Sequence, residues 1–362
     1  MIIGIDAAKA AIENRTGIEN VVYEVILNLL KIDQKNEYLL FSNAPLPKEF
    51  CCHKNATIVT SKYRRPWNKL MLPLLLRKNP CDVYLQLTDA IPPFAAKKSV
   101  AVFHDFAYEY FPSAYSRREL GKQRQARNNI VEKAHRIVCV SEATQRDLFR
   151  NHPGLETKTS VIYLGYDHQK FRPIDHPKDI LRLDTKYILY TGRIEERKNT
   201  LRLVRAFFRL KKELDIPHKL ILAGGPGHNY TKVYREIHNH KDYVNDVILP
   251  GHISHDRLPD LIAGSDVFVF PTLYEGFGLP LLEAMACGAA IVTSNVSSMP
   301  EIAGDAAIFI NPLDENDLAE AMAYFIFHPE VKESYRKRGL ERSADFSWEK
   351  TAANFLKLLE SL

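Results

Sequence analysis

Residues 267–294, VFVFPTLYEGFGLPLLEAMACGAAIVTS, constrain the fold more than any other stretch, because strand, turn, helix and strand follow without a gap. Val267–Phe270 is an unbroken β-branched and aromatic run, as in a strand covered on both faces. Glu275-Gly276-Phe277-Gly278 makes the turn, and Leu279–Ala286 reads as a helix with Pro280 in its first turn, where the missing N–H costs nothing. Gly288 ends the helix and residues 289–293 form the next strand. Such a unit belongs at the carboxyl edge of a parallel sheet, where α/β proteins bind ligands and helix starts favour anions. The stretch reads as a site for a phosphorylated ligand.

Two carboxylates bracket the turn: Glu275 before the helix and Glu283 within it, seven residues between them. Each can accept hydrogen bonds from paired hydroxyls, so together they can grip two parts of one sugar-containing ligand. The competing reading is a helix-dipole charge and a solvated face. Against it, Glu283 lies between Leu282 and Ala284 on a helix whose flanking strands are apolar, a poor place for an idle charge.

The rest of the chain alternates strands and helices, and 362 residues suffice for two cores. After a strand at 2–5, the loop Asn14-Arg15-Thr16-Gly17 precedes a helix at 18–30, and its glycine would let backbone approach a phosphate. The three-glycine dinucleotide fingerprint is absent there. A strand at 100–103 runs into His104 and Asp105, which places His104 where it can hydrogen-bond a hydroxyl or phosphate. A strand at 187–190 leads into Arg193 and Lys198, two cations in a loop that can clamp a diphosphate or simply be solvated. Gly224-Gly225-Pro226-Gly227 is a turn where backbone can come close to a ligand, and Gly251-His252-Ile253 follows a strand at 247–249.

The stretches EGFGLPLLEAMACG and TSNVSSMPEIAGDAA resemble the nucleotide-binding segment of the retaining glycosyltransferases of family four, and Glu275 and Glu283 match that family's pair of glutamates. The resemblance continues in order along nearly the whole chain. It implies an α/β protein of the GT-B fold: two Rossmann-like domains facing across a cleft, residues 1–170 for the acceptor and 171–345 for the nucleotide sugar. A C-terminal helix at 346–362 would cross back to the first domain.

By the same resemblance, Gly17, Arg193 and Lys198 approach the donor diphosphate, together with the turn Gly276, Phe277, Gly278 and Leu279. Ile253 lies against the base, Glu283 holds the ribose, and Glu275 and His104 act at the donor sugar. Similar enzymes keep the anomeric configuration, with the leaving phosphate deprotonating the acceptor on the same face. The span from NRTGIENVVYEV to FSWEKTA looks most like bacterial mannosyl- or rhamnosyl-type transferases of O-antigen, capsule or exopolysaccharide assembly on a lipid-diphosphate carrier. GDP-mannose is therefore the expected donor, with a UDP- or ADP-sugar the alternative. Glu19-Asn20 departs from the pattern, since many relatives carry a basic residue there.

No Asp-x-Asp occurs anywhere, so the usual carboxylate pair for a divalent ion on a nucleotide diphosphate is missing and metal-independent transfer is expected, with no cofactor. Two rival classes remain. The same fold also serves phosphorylases and sugar-nucleotide epimerases; a phosphorylase would be expected to show a lysine-bound cofactor, and no sequence feature demands one. A non-catalytic sugar-binding protein would leave the diphosphate clamp without purpose.

Charge is uneven: residues 1–170 carry a formal +8 and residues 171–362 carry −3. The basic half points to an anionic partner. Residues 62–73 mix cations with Tyr63, Trp67 and leucines, as in an interfacial helix on anionic lipid, although a core helix with a basic outer face fits equally. The helix expected at 116–136 is densely basic but has few aromatics and no nucleic-acid motif, so no nucleic acid is expected as partner. No apolar run reaches membrane-span length, no export signal is visible at the amino terminus, and five scattered cysteines lack metal-ligand spacing. A cytoplasmic protein, peripheral on the inner membrane face, is the expectation.

Overall fold

The computed structural model describes residues 1–362 except Asn14, residues 62–65, Asp89 and Lys97. The described residues divide into two compact units, Met1–Gly165 with Ser347–Leu362, and Tyr166–Phe346. Each is a parallel sheet packed with helices.

The first unit holds β1 (Ile2–Asp6), β2 (Glu37–Ser42), β3 (Ala56–Thr60), β4 (Val83–Gln86), β5 (Lys98–Phe103), β6 (Arg136–Cys139) and β7 (Thr159–Val161) in the order β3-β2-β1-β4-β5-β6-β7. β1 is flanked by β2 and β4, both parallel, with Ile3 opposite Tyr38 and Val83. Ile3, Ile5, Tyr84 and Leu85 are fully buried, as a sheet covered on both faces requires. The helix Gly17–Ile32 begins in a capping box, Thr16 Oγ1 donating to Glu19 Oε2 at 2.6 Å. Glu19, unusual by the family pattern, thus has a structural task. The closing helix Trp348–Glu360 belongs to this unit and packs on Gly17–Ile32; Thr351 Oγ1 donates to the Tyr163 carbonyl at 2.8 Å. Gly165 makes room for it, because a Cβ there would stand 2.2 Å from Trp348 N.

The second unit holds β8 (Tyr187–Thr191), β9 (Lys219–Ala223), β10 (Val247–Gly251), β11 (Val267–Phe270), β12 (Ile291–Ser294) and β13 (Ala307–Ile310) in the order β10-β9-β8-β11-β12-β13. Its switch point, where chain order reverses, lies between β8 and β11. The strand Val267–Phe270 and the helix Leu279–Ala286 stand where their residues place them. The strand expected at 289–293 is shifted to Ile291–Ser294, Ala289 still closing the helix by donating to the Ala284 carbonyl.

One helix escapes hydrophobic periodicity, Pro329–Ser343. It is polar nearly all round and is held by specific bonds instead. Lys332 Nζ reaches Asp266 Oδ1 at 2.6 Å, and Arg342 donates to the carbonyls of Glu301 and Ile302. Burial pushes the Asp266 carboxyl up, but His218 and Lys332 outweigh it and hold the group below the usual range. The basic helix is Arg117–Lys133, shorter than expected, since Arg136 already opens β6. Two of its cations, Arg124 and Arg127, are committed to Glu109 at 2.8 and 2.6 Å.

Candidate functional site

In open parallel sheets the ligand crevice forms outside the carboxyl ends of the strands at the switch point. In the second unit, β8 runs there into the loop 192–199 and β11 into the turn 272–278. These loops share one buried ionic cluster. Lys198 Nζ is ion-paired with Glu275 Oε1, and Arg197 Nη1 lies 3.3 Å from the same oxygen. Arg197 also bridges to Glu195 Oε1 at 3.1 Å and donates to the Tyr274 carbonyl at 2.9 Å. Thr272 Oγ1 sits 3.1 Å from Glu275 Oε1, and Lys198 Nζ lies 5.2 Å from the centre of the Phe270 ring.

Burial raises the Glu275 carboxyl, but Lys198 and then Arg197 overcome this and hold it below the usual range. Burial pulls the Lys198 ammonium down, with Glu275 opposing and Arg197 adding to the fall. The Glu275 backbone is fixed as well: its N–H donates to Ser297 Oγ at 3.0 Å, and Ser298 Oγ reaches the carbonyls of Glu275 and Phe277 at 3.0 and 2.9 Å. Gly278, at φ 104, starts the helix, and a Cβ there would meet Met299 at 2.5 Å. Gly276 and Phe277 are buried, Leu279 half-buried.

Glu283 differs sharply from Glu275. Half-buried on the helix Leu279–Ala286, its carboxyl has no hydrogen-bond or ion-pair partner among the described residues. Burial pushes it up to about 8. An acid in such a place is a group waiting for polar partners.

The cations also separate. Lys198 enters the cluster, whereas the Arg193 side chain is 70% exposed and lies 3.8 Å from Glu195 Oε2. Arg197, Glu195, Thr272, Ser297 and Ser298 complete the site, and spacing and composition do not single them out. Their signal is weak: Arg197 and Glu195 sit among the other charges of the loop, and the two serines read as a helix start.

The glycine turn after β9 serves this loop. Ile194 N–H donates to the Gly225 carbonyl and Gly227 N–H to the Ile194 carbonyl, each at 2.9 Å. A Cβ on Gly224 would stand 1.9 Å from the Gly192 carbonyl oxygen, and one on Gly227 would stand 2.7 Å from Glu195. At these two glycines the close approach is to the cation loop itself. Gly224→Ala is therefore expected to lower unfolding free energy by at least about 2 kcal/mol in urea titration. Gly225→Ala, which meets nothing within 4 Å, should change it little; equal losses would mean that the loop contact does not hold in solution. Ile253, half-buried beyond β10, takes no part in the ion pairs of the cluster.

In the first unit, His104 follows β5 and is half-buried, its Nε2 2.7 Å from the Leu87 carbonyl beyond β4. That bond makes Nε2 the protonated nitrogen. Gly17 opens its helix exposed, and a Cβ there would meet nothing within 4 Å. Both residues lie at carboxyl-end loops of the first sheet.

Two family models match consecutive parts of the chain, Glycosyltransferase Family 4 over residues 15–170 and Glycosyl transferases group 1 over residues 171–342. The O-antigen chain mannosyltransferase B of Escherichia coli is 28% identical over 264 residues, covering 71% of this chain and 68% of that protein. The serotype-specific mannosyltransferase WbdA of Escherichia coli is 34% identical over 242 residues, covering 64% of this chain but only 30% of that longer protein. Among solved structures, a sucrose-phosphate synthase from Thermosynechococcus elongatus superposes with a TM-score of 0.75 at 20% identity, covering 99% of this chain and 98% of the other. With both halves matched in order and the GT-B fold class in place, the chain belongs to the family-four glycosyltransferases.

Proposed function

We propose that the protein is a retaining, metal-independent hexosyltransferase that moves a mannosyl group from GDP-mannose to a glycan or lipid-linked glycan in cell-surface polysaccharide synthesis. The buried Lys198–Glu275–Arg197 cluster at the switch point of the second sheet carries this reading. The mannosyl choice is supported by the names of the two Escherichia coli relatives.

In this reading the donor diphosphate takes over Lys198 and draws in the exposed Arg193, while Glu275, released from the lysine, accepts hydrogen bonds from the sugar hydroxyls. The ribose hydroxyls satisfy Glu283, Ile253 lies against the base, and the turn Gly276–Leu279 faces the phosphates at its helix start. His104 orients the sugar and phosphate, and Gly17 lets backbone approach the diphosphate. As the bond from the anomeric carbon to the phosphate oxygen breaks and the acceptor oxygen bonds to that carbon on the same face, Lys198 and Arg193 stabilise the charge developing on the diphosphate, and the leaving phosphate takes the acceptor proton. The work is placed at the inner face of the cytoplasmic membrane. No helix among the described residues is long and apolar enough to cross one.

A thermal-shift screen against GDP-mannose, UDP-glucose, ADP-glucose and the bare nucleotides, with EDTA present, tests it. A selective rise with GDP-mannose and GDP is expected, about 2.7 kcal/mol of stabilisation at a hundredfold excess over Kd. A selective rise with a uridine or adenosine donor would replace the base. Dependence on added magnesium would overturn the metal-free reading, and no rise with any nucleotide would bring forward the non-catalytic sugar-binding alternative.

A further inference from the structure

Residues 50–81 contain seven Lys and Arg and no Asp or Glu. In the first unit this stretch supplies β3, a wide turn of helix at Trp67–Met71 and the helix Leu72–Lys78. Trp67 Nε1 donates to Asp6 at 3.2 Å, which fixes the entry to the helix at the end of β1. The leucines then split into two sets. Leu72 and Leu76 are buried against Phe41 and Tyr84, whereas Leu70 and Leu74, one turn apart on the other side, are 48% and 41% exposed.

A third apolar side chain joins the exposed set. Ala95 and Ala96 pack on the same buried cluster, which brings the turn before them alongside this helix. The turn is closed by Ala95 N–H donating to the Pro92 carbonyl at 3.4 Å, and its third residue, Phe94, has φ 63. That position is normally given to glycine or asparagine, and a bulky aromatic is strained there. The strained turn gains no core contact in return, since Phe94 is 60% exposed. The Arg77 guanidinium lies 5.7 Å from its ring centre, and Lys69, Arg77 and Lys78 stand exposed beside the leucines.

Apolar tips standing among cations complement an anionic bilayer: the cations meet headgroups while leucine and phenylalanine side chains reach the acyl boundary. We propose that Leu70, Leu74 and Phe94, ringed by Lys69, Arg77 and Lys78, form the surface by which the first unit docks on anionic lipid. A protein partner is disfavoured by charge, because the patch offers single-sign charge and three scattered apolar tips rather than a continuous face. The inference deepens the membrane placement given above and rests on it for its purpose, since a lipid-linked acceptor would be met at this surface. Its test needs neither donor nor acceptor.

The full chain is sedimented with vesicles of phosphatidylcholine alone and of phosphatidylcholine mixed with phosphatidylglycerol, and each variant is also checked for its nucleotide-induced thermal shift. Binding to the anionic vesicles only is expected. The pair Leu74→Ser with Phe94→Ser should weaken it at least about tenfold through lost apolar insertion. The pair Arg77→Glu with Lys78→Glu should do likewise through lost headgroup attraction. The nucleotide shift should stay unchanged in both. Vesicle binding at the native level in either pair would overturn the proposal. So would loss confined to Arg117→Glu, Arg118→Glu and Lys122→Glu on the basic helix. A dimer in sedimentation velocity that dissociates on Phe94→Ser, with vesicle binding intact, would assign the patch to a second copy. A failed nucleotide screen with vesicle binding intact would sink the donor reading and leave this one standing.

Discussion

Lys198→Ala is expected to remove transfer activity and stability together, lowering kcat/KM by about 10²–10³ and unfolding free energy by about 3–5 kcal/mol. The first loss follows if Lys198 stabilises the leaving diphosphate. The second follows from geometry: Lys198 and Glu275 side chains are only 12% and 10% exposed, so truncating the lysine leaves a carboxylate buried with Arg197 as its remaining cation. Glu275→Ala should be destabilising for the reciprocal reason, since it strands Lys198 beside Arg197. The double variant separates the two effects. Removing both partners should cost less stability than the sum of the single losses, with a coupling of at least about 1 kcal/mol, while activity stays lost. Additive stabilities would mean that the pair is not formed in solution. Turnover near the native level in Lys198→Ala would take that residue out of the site.

Glu283 should make donor binding depend on pH. Without ligand its carboxyl is pushed up to about 8 by burial, against an ordinary value of 4.5, so it is protonated at neutral pH. Cys287, one turn on, is itself raised to about 12, by burial first and by Glu283 second, and so supplies no opposing charge. If ribose hydroxyls donate to the ionised carboxylate, binding lowers its pKa and releases a proton. Nucleotide affinity should then rise as pH increases toward about 8 and level off above it, by up to about tenfold per unit. Glu283→Gln should flatten the profile. The stability of the ligand-free protein runs in the opposite direction. The unfolded chain ionises from about 4.5, the folded one only near 8, so each step of pH in that window favours unfolding. Calorimetry in buffers of different ionisation enthalpy reads the proton directly. An affinity independent of pH across the window would remove Glu283 from the ligand or show that it binds as the neutral acid.

How much of the site is legible in the sequence follows from the range of the interactions. The strand Val267–Phe270 and the helix Leu279–Ala286 stand at their expected bounds because their causes are local: an unbroken apolar run, a proline in the first turn, glycines where the chain must turn. The helix Pro329–Ser343 is invisible to periodicity, because salt bridges and carbonyl contacts from Lys332 and Arg342 hold it in place of an apolar stripe. The loop after β9 reads as one that approaches a ligand, yet Gly224 and Gly227 make room for residues 192 and 195. A lone sequence shows that a glycine is required without showing what comes close. Of the basic stretch at 62–73, residues 62–65 lie outside the described residues, and its leucines, with those of the helix Leu72–Lys78, divide into buried and exposed sets only once Phe41 and Tyr84 are in place.

By itself the sequence determined the two carboxylates seven residues apart around a glycine turn, the parallel α/β class and the basic character of the first half, since spacing, apolar runs and charge are properties of the chain. Only the tertiary structure decided which charges meet. Pairing β8 beside β11 brings Lys198 to Glu275 across 77 residues of chain with Arg197 beside it, leaves Arg193 in solvent and leaves Glu283 without a partner among the described residues. The physical reason is that burial strengthens the attraction between ions brought into contact and penalises the charged form of one left alone, and burial is set by strand order, not by position along the chain.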